Sequence, residues 1–91
     1  MASASVEKEA ILRSIALCNH SIEQYKLTAR TLASKYREAG NGWSDEKYRQ
    51  LGNVINECVG SLSSPLRELE ESVNKLNEIL RLIEMYENEN L

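Results

Sequence analysis

The chain has no phenylalanine and, in 91 residues, one proline, one tryptophan, one histidine and four glycines. Strand-favouring aromatics and chain breakers are scarce, whereas Leu, Ile, Ala, Glu, Lys, Asn and Ser abound. The composition tilts toward helix before any periodicity is considered. No run approaches the roughly 18 apolar residues of a membrane span, so no membrane insertion is expected. Met1-Ala2-Ser3-Ala4-Ser5 has neither the basic nor the apolar region of a cleaved signal peptide. The expected location is cytoplasmic, with any export by a route that reads no such signal.

The chain also lacks a basic stripe with interleaved stacking aromatics, which argues against nucleic acid. The formal charge is −3. It is uneven: residues 1–43 carry six Lys/Arg against four Asp/Glu, and residues 44–91 five against ten. Catalysis has no foothold in this pattern. Cys18 and His20 are two apart on a helix and point to different sides, one a core thiol and the other a solvated imidazole. Glu70 and Glu71 would need a pocket to shift their pKa values, and a pair of helices offers little concavity. Gly40 and Gly42 lack the lysine and the strand context of a phosphate loop. Two cysteines make no metal-ligand spacing. The chain reads as neither an enzyme nor a cofactor protein.

What is present is a heptad seam. From Ser5, a candidate N-cap with Glu7 and Glu9 in the first turn, apolar or near-apolar residues recur at Ile11, Ile15, Cys18, Ile22, Tyr25, Ala29, Leu32 and Tyr36, in alternating steps of four and three. That spacing predicts a helix over about 6–39. Gly40-Asn41-Gly42 offers positive φ for a C-terminal stop, and Ser44 is a good N-cap followed by Asp45 and Glu46. Trp43 and Tyr48 flank that cap at the spacing of a hydrophobic staple. The turn is placed at 40–44 and the second helix at about 45–87.

In the second helix Tyr48, Ile55, Leu62, Leu69, Leu76 and Ile83 are spaced by seven throughout. Their companions are Leu51 and Cys58 before Pro65, three beyond the series, and Leu66, Val73 and Leu80 after it, four beyond. The apolar face is therefore expected to rotate at Pro65. A kinked continuous helix is favoured over a break at 63–65, because the sevenfold series crosses the proline in phase.

The fold class expected is all-α, an antiparallel two-helix hairpin in one domain over 1–91. With the turn near residue 42, facing residues sum to about 84, pairing Ile15 with Leu69 and Ile11 with Val73. Cys18 and Cys58 would then lie roughly 12 Å apart along the axis and stay free thiols. The first helix would run out opposite residue 78 and leave about a dozen residues overhanging. There Val73, Leu76, Ile79, Leu80, Leu82, Ile83 and Met85 spread wider than one neighbouring helix covers. Leu12, Leu17 and Leu27 also fall off the seam. A second hairpin burying these flanks in a four-helix bundle is the expected cover, with Leu12, Val73, Leu76, Ile79, Leu80, Leu82 and Ile83 at the interface.

Gly42-Trp43-Ser44-Asp45, followed by Tyr48, Leu51 and Ile55 on the next helix, in a chain of two long helices with tryptophan in the connecting turn, resembles the WXG (Trp-x-Gly) family. These are small substrates and co-substrates of bacterial type VII secretion. The resemblance spans nearly the whole chain, with Asp45 at the position of the motif's glycine. The family's C-terminal export signal is Tyr-x-x-x-Asp/Glu; here Tyr86 is followed by Asn90 at that distance, and the acid Glu89 comes one earlier.

The resemblance implies a homodimer or heterodimer with another helical hairpin, or a chaperone or targeting partner for the N-terminal helical domain of a larger LXG-type toxin. Gly42, Trp43, Asp45 and Tyr48 would form the recognition turn, and Tyr86 and Glu89 the tail signal. The heptads themselves say only that the chain binds helices. A generic coiled-coil adaptor, or a subunit of an unrelated helical assembly, is the alternative class.

Overall fold

The computed structural model describes residues 4–40 and 45–89. They form two α-helices, α1 over Ala4–Ala39 and α2 over Asp45–Glu89, with no strand among the described residues. The protein is an all-α helical hairpin. Ser5 lies inside α1 and does not cap it, because the helix begins at least one residue earlier than its sequence signal. At the other end the Gly40 N–H donates to the carbonyls of both Tyr36 and Arg37, at 3.2 Å each. Asp45 and Glu46 open α2, where negative charge suits the helix dipole. Asn41, Gly42, Trp43 and Ser44, and with them the expected Ser44 cap and Trp43–Tyr48 staple, lie outside the described residues.

The chain divides into two compact units. The turn unit is Glu23–Arg67; the distal unit joins Met1–Ile22 to Glu68–Leu91. In the turn unit the inward positions are Tyr25, Ala29, Leu32 and Tyr36 on α1 and Tyr48, Leu51, Ile55, Val59, Leu62 and Leu66 on α2, all half-buried. In the distal unit they are Ile11, Ile15, Cys18 and Ile22 on α1 and Leu69, Val73, Leu76, Leu80, Ile83 and Glu87 on α2, with Lys8, Ser14 and Ser21 of α1 also half-buried. Every residue of the α1 seam and of the sevenfold α2 series thus turns inward.

Two features depart from expectation. Cys58 is exposed and Val59 half-buried, so the face shifts between Ile55 and Val59 and not at Pro65. Steps of four from Leu51 to Ile55 and again to Val59 form the stutter that locally unwinds a heptad pair, and the valine satisfies it better than the thiol one residue earlier. The helix then runs through Pro65 without a break. Nearby, the Ser61 and Ser63 hydroxyls donate to the carbonyls of Glu57 and Gly60.

The overhang is also shorter than expected. The inward stripe of α2 continues through Leu80 and Ile83 to Glu87 instead of ending near residue 78, and α1 itself starts at Ala4, two residues earlier than expected. Both cysteines are free thiols, Cys18 half-buried and Cys58 exposed.

The seam is not a dry core. Among the described residues Ile22, at 7% exposure, is the one buried large apolar side chain, and none falls below 2%. Ion pairs do not make up the difference. Glu9–Arg13, Lys35–Glu38 and Glu46–Arg49 all lie on the surface within single helices, where such pairs contribute about 0.3–0.5 kcal/mol each. A two-helix seam with this little full burial sits at the lower margin of what folds unaided.

Candidate functional site

In the turn unit the helices are held by a reciprocal clamp. The rings of Tyr36 and Tyr48 stack with centroids 4.2 Å apart and planes at 9°. Each ring also reaches over a glycine of the opposite segment. A Cβ on Gly52 would lie 2.5 Å from Tyr36 Oη, and one on Gly40 would lie 2.8 Å from Tyr48 Cζ. Gly40 and Gly52 are therefore needed for close approach. No described glycine takes positive φ, so Gly40 does not supply the left-handed stop expected of it.

The contacts also set the register. Tyr36–Tyr48 sums to 84, as expected, while Tyr36–Gly52 and Gly40–Tyr48 both sum to 88. A number that rises on α1 as its partner falls on α2 is antiparallel pairing. Burial in this packing, then the neighbouring Tyr48 charge and hydrogen bond, push the Tyr36 hydroxyl above the ordinary tyrosine pKa.

A sequence signal for this clamp exists. Tyr36-Arg37-Glu38-Ala39-Gly40 and Tyr48-Arg49-Gln50-Leu51-Gly52 share the pattern Tyr-Arg-x-x-Gly on either side of the turn. The staple spacing pairs Tyr48 with Trp43; among the described residues its ring partner is Tyr36. Asp45 is exposed in the first turn of α2. Gly42 and Trp43 lie outside the described residues, as does the side chain of Glu89.

The distal unit presents the larger apolar surface. Leu12, Leu17, Ile79, Leu82 and Met85 are exposed there, whereas the exposed large apolar residues described in the turn unit are Leu27 and Val54. The candidate interface residues consequently divide. Val73, Leu76, Leu80 and Ile83 are half-buried on the stripe turned toward α1, and Leu12, Ile79 and Leu82 face outward. Tyr86, from the candidate tail signal, is exposed.

A shallow concavity of about 250 Å³ lies along Val6, Glu9, Ala10 and Arg13, with the Glu9–Arg13 pair on its wall. No group of three potential metal ligands occurs among the described residues, and none of their helices is long and apolar enough to cross a membrane. The described surface displays exposed apolar side chains, Ile79, Leu82 and Met85 among them, with exposed charges of both signs, Lys75, Glu78 and Arg81, on the same helix. Comparison with protein-family models, curated proteins and solved structures gives no match.

Proposed function

We propose that this chain is a small binding protein of a Gram-positive type VII secretion system, a secreted co-substrate or a chaperone and targeting partner for a larger effector. It works as half of a helical bundle completed by a second hairpin or by the N-terminal helical domain of a toxin. In this reading it acts in the cytoplasm, and its export, where it occurs, follows the type VII route.

The observation that carries helix binding is the contrast between a seam with one buried large apolar residue and an outer surface with Ile79, Leu82 and Met85 46%, 57% and 47% exposed. Covering such side chains contributes on the order of 1 kcal/mol each, a gain the lone chain forgoes. The secretion role rests on the resemblance of the Gly42-Trp43-Ser44-Asp45 turn and of the tail around Tyr86.

The test is co-purification with the N-terminal helices of a large protein encoded beside this one. Ile79→Asp with Leu82→Asp abolishes the complex and leaves the circular dichroism of the hairpin intact; unchanged binding sinks the proposal. Leu80 and Ile83 are unsuitable for this purpose, since they belong to the inward stripe. Trp43→Ala reduces export more than it reduces helicity. Equal losses in both would leave Trp43 as a packing residue alone.

A further inference from the structure

We propose that the stacked Tyr36–Tyr48 pair is an oxidative modification site, where a peroxidase-class one-electron oxidant driven by hydrogen peroxide joins the two phenols as dityrosine and ties α1 to α2 beside the turn. The rings lie with centroids 4.2 Å apart and planes at 9°. The glycine seats hold them there: a Cβ on Gly52 would lie 2.5 Å from Tyr36 Oη, and one on Gly40 2.8 Å from Tyr48 Cζ. Both residues are half-buried, so electrons can leave the rings without the oxidant entering the seam.

The coupling suits a face-to-face pair. Each phenol gives up one electron and its hydroxyl proton, and the unpaired spin of the resulting phenoxyl radical is shared by the oxygen and the ring carbons ortho and para to it. The para carbon already carries Cβ, so bonding falls to an ortho carbon, a Cε of each ring. The new Cε–Cε bond grows along the normal to both rings, the direction in which stacked faces present their π orbitals, and the pair is held for a unimolecular reaction. The hydrogens on the joined carbons then shift to the oxygens and restore two phenols. Two electrons and two protons are lost in all, and one hydrogen peroxide takes them up as two waters.

The other tyrosines are placed differently. Tyr25 precedes Tyr36 on α1 by roughly 16 Å along the axis, too far to couple with it in the folded chain. Tyr86 is exposed in the distal unit, where coupling would join separate molecules. Encounters between molecules in dilute solution are rare beside two rings kept in contact within one chain. The free thiols Cys18 and Cys58 compete as electron donors, but neither opens a route to a tyrosine cross-link.

The test treats the intact chain at micromolar concentration with a haem peroxidase and limiting hydrogen peroxide, then isolates the covalent monomer under denaturing conditions. Dityrosine fluorescence appears in that fraction. Trypsin, cutting after Lys35, Arg37, Lys47 and Arg49, releases Tyr36-Arg37 joined to Tyr48-Arg49 and lighter by two hydrogens, a product that only this pair can give within one chain. Tyr36→Phe and Tyr48→Phe each keep a ring to stack and an unchanged circular dichroism, and each lowers the monomer fluorescence about tenfold or more. Tyr25→Phe and Tyr86→Phe leave it unchanged.

A photosensitiser with persulfate as electron acceptor, which also works in urea, compares the folded with the unfolded chain. The linked dipeptides form in severalfold higher yield in the folded chain. Equal yields overturn the inference, because nearness in sequence would then suffice without the stack. Oxidation that ends on Cys18, Cys58 or Trp43, or that gives only covalent dimers, overturns it as well.

Discussion

In the turn unit α1 and α2 hold one another through two stacked tyrosines seated over two glycines, whereas in the distal unit the half-buried residues are mainly aliphatic, with no aromatic ring among those described and with Lys8, Ser14, Cys18, Ser21 and Glu87 among them. The distal unit also leaves Leu12, Leu17, Ile79, Leu82 and Met85 facing outward. A stacked aromatic pair adds about 0.5–1.5 kcal/mol beyond its buried area, and it fixes register because each ring has one seat. Aliphatic heptads bury area without choosing so sharply among registers or partners. The turn unit therefore closes on itself, and the distal unit keeps surface in reserve. Aromatic closure and exposed apolar surface are distributed to different lengths of the same two helices.

The largest expected effect comes from removing the clamp. Tyr36→Ala deletes the stack and the cover of Gly52, and costs about 2–3 kcal/mol, below the range for fully buried aromatics because Tyr36 is half-buried. Urea denaturation followed by circular dichroism measures it. Leu82→Asp, on the reserved surface, changes the stability of the lone chain by less than about 0.5 kcal/mol. Comparable losses in the two variants would erase the distinction between the units. Amide hydrogen exchange sharpens it: distal amides exchange faster than turn-unit amides in the lone chain, and a bound helix slows the distal set.

Next in size is a pair of opposite effects at two glycines of the same helix. A Cβ on Gly60 would meet nothing within 4 Å, so Gly60→Ala gains helix propensity and stabilises by about 1 kcal/mol. Gly52→Ala has the same intrinsic gain but drives a methyl into Tyr36, and it destabilises by about 1–2 kcal/mol net. In a Tyr36→Ala background the Gly52→Ala effect turns favourable. If both glycines respond alike in the parent chain, Gly52 is not a seat for the ring.

Much of the helix-level organisation is legible in the sequence because heptads are local. The α1 seam from Ile11 to Tyr36 and the α2 series from Tyr48 to Ile83 all lie inward, and α1 ends at Ala39, where the sequence expects it, although Gly40 lacks the positive φ that expectation invoked. What the pattern does not resolve is the choice between adjacent candidates. Cys58 and Val59 are both acceptable in a seam, and the phase shift that selects Val59 emerges from packing against the other helix. Pro65 is the evident irregularity in the sequence, yet a continuous helix absorbs it. The clamp escapes a reading of the residues in order because Gly40 looks like a backbone device. Only the opposing ring reveals that the missing side chain matters more than the φ angle. The outward set Leu12, Ile79 and Leu82 lies off the heptad seam that holds Leu80 and Ile83, and the burial of each follows that local pattern.

The smallest effect is a titration confined to the clamp. Burial, and then Tyr48, raise the pKa of Tyr36 in the folded chain, which means that packing favours the neutral phenol. In the unfolded chain the hydroxyl loses its proton near pH 10. The folded state therefore binds more protons between that value and its own raised pKa, and stability falls as pH rises through this window. Below about pH 10 the contribution is fully present. Urea midpoints from pH 7 to pH 11 should decline on the alkaline side, and Tyr36→Phe should decline less while keeping a ring to stack on Tyr48. A variant with the parent's full alkaline loss would show that the loss arises outside the clamp. It would also remove the titration assigned to the tyrosine stack of the turn unit.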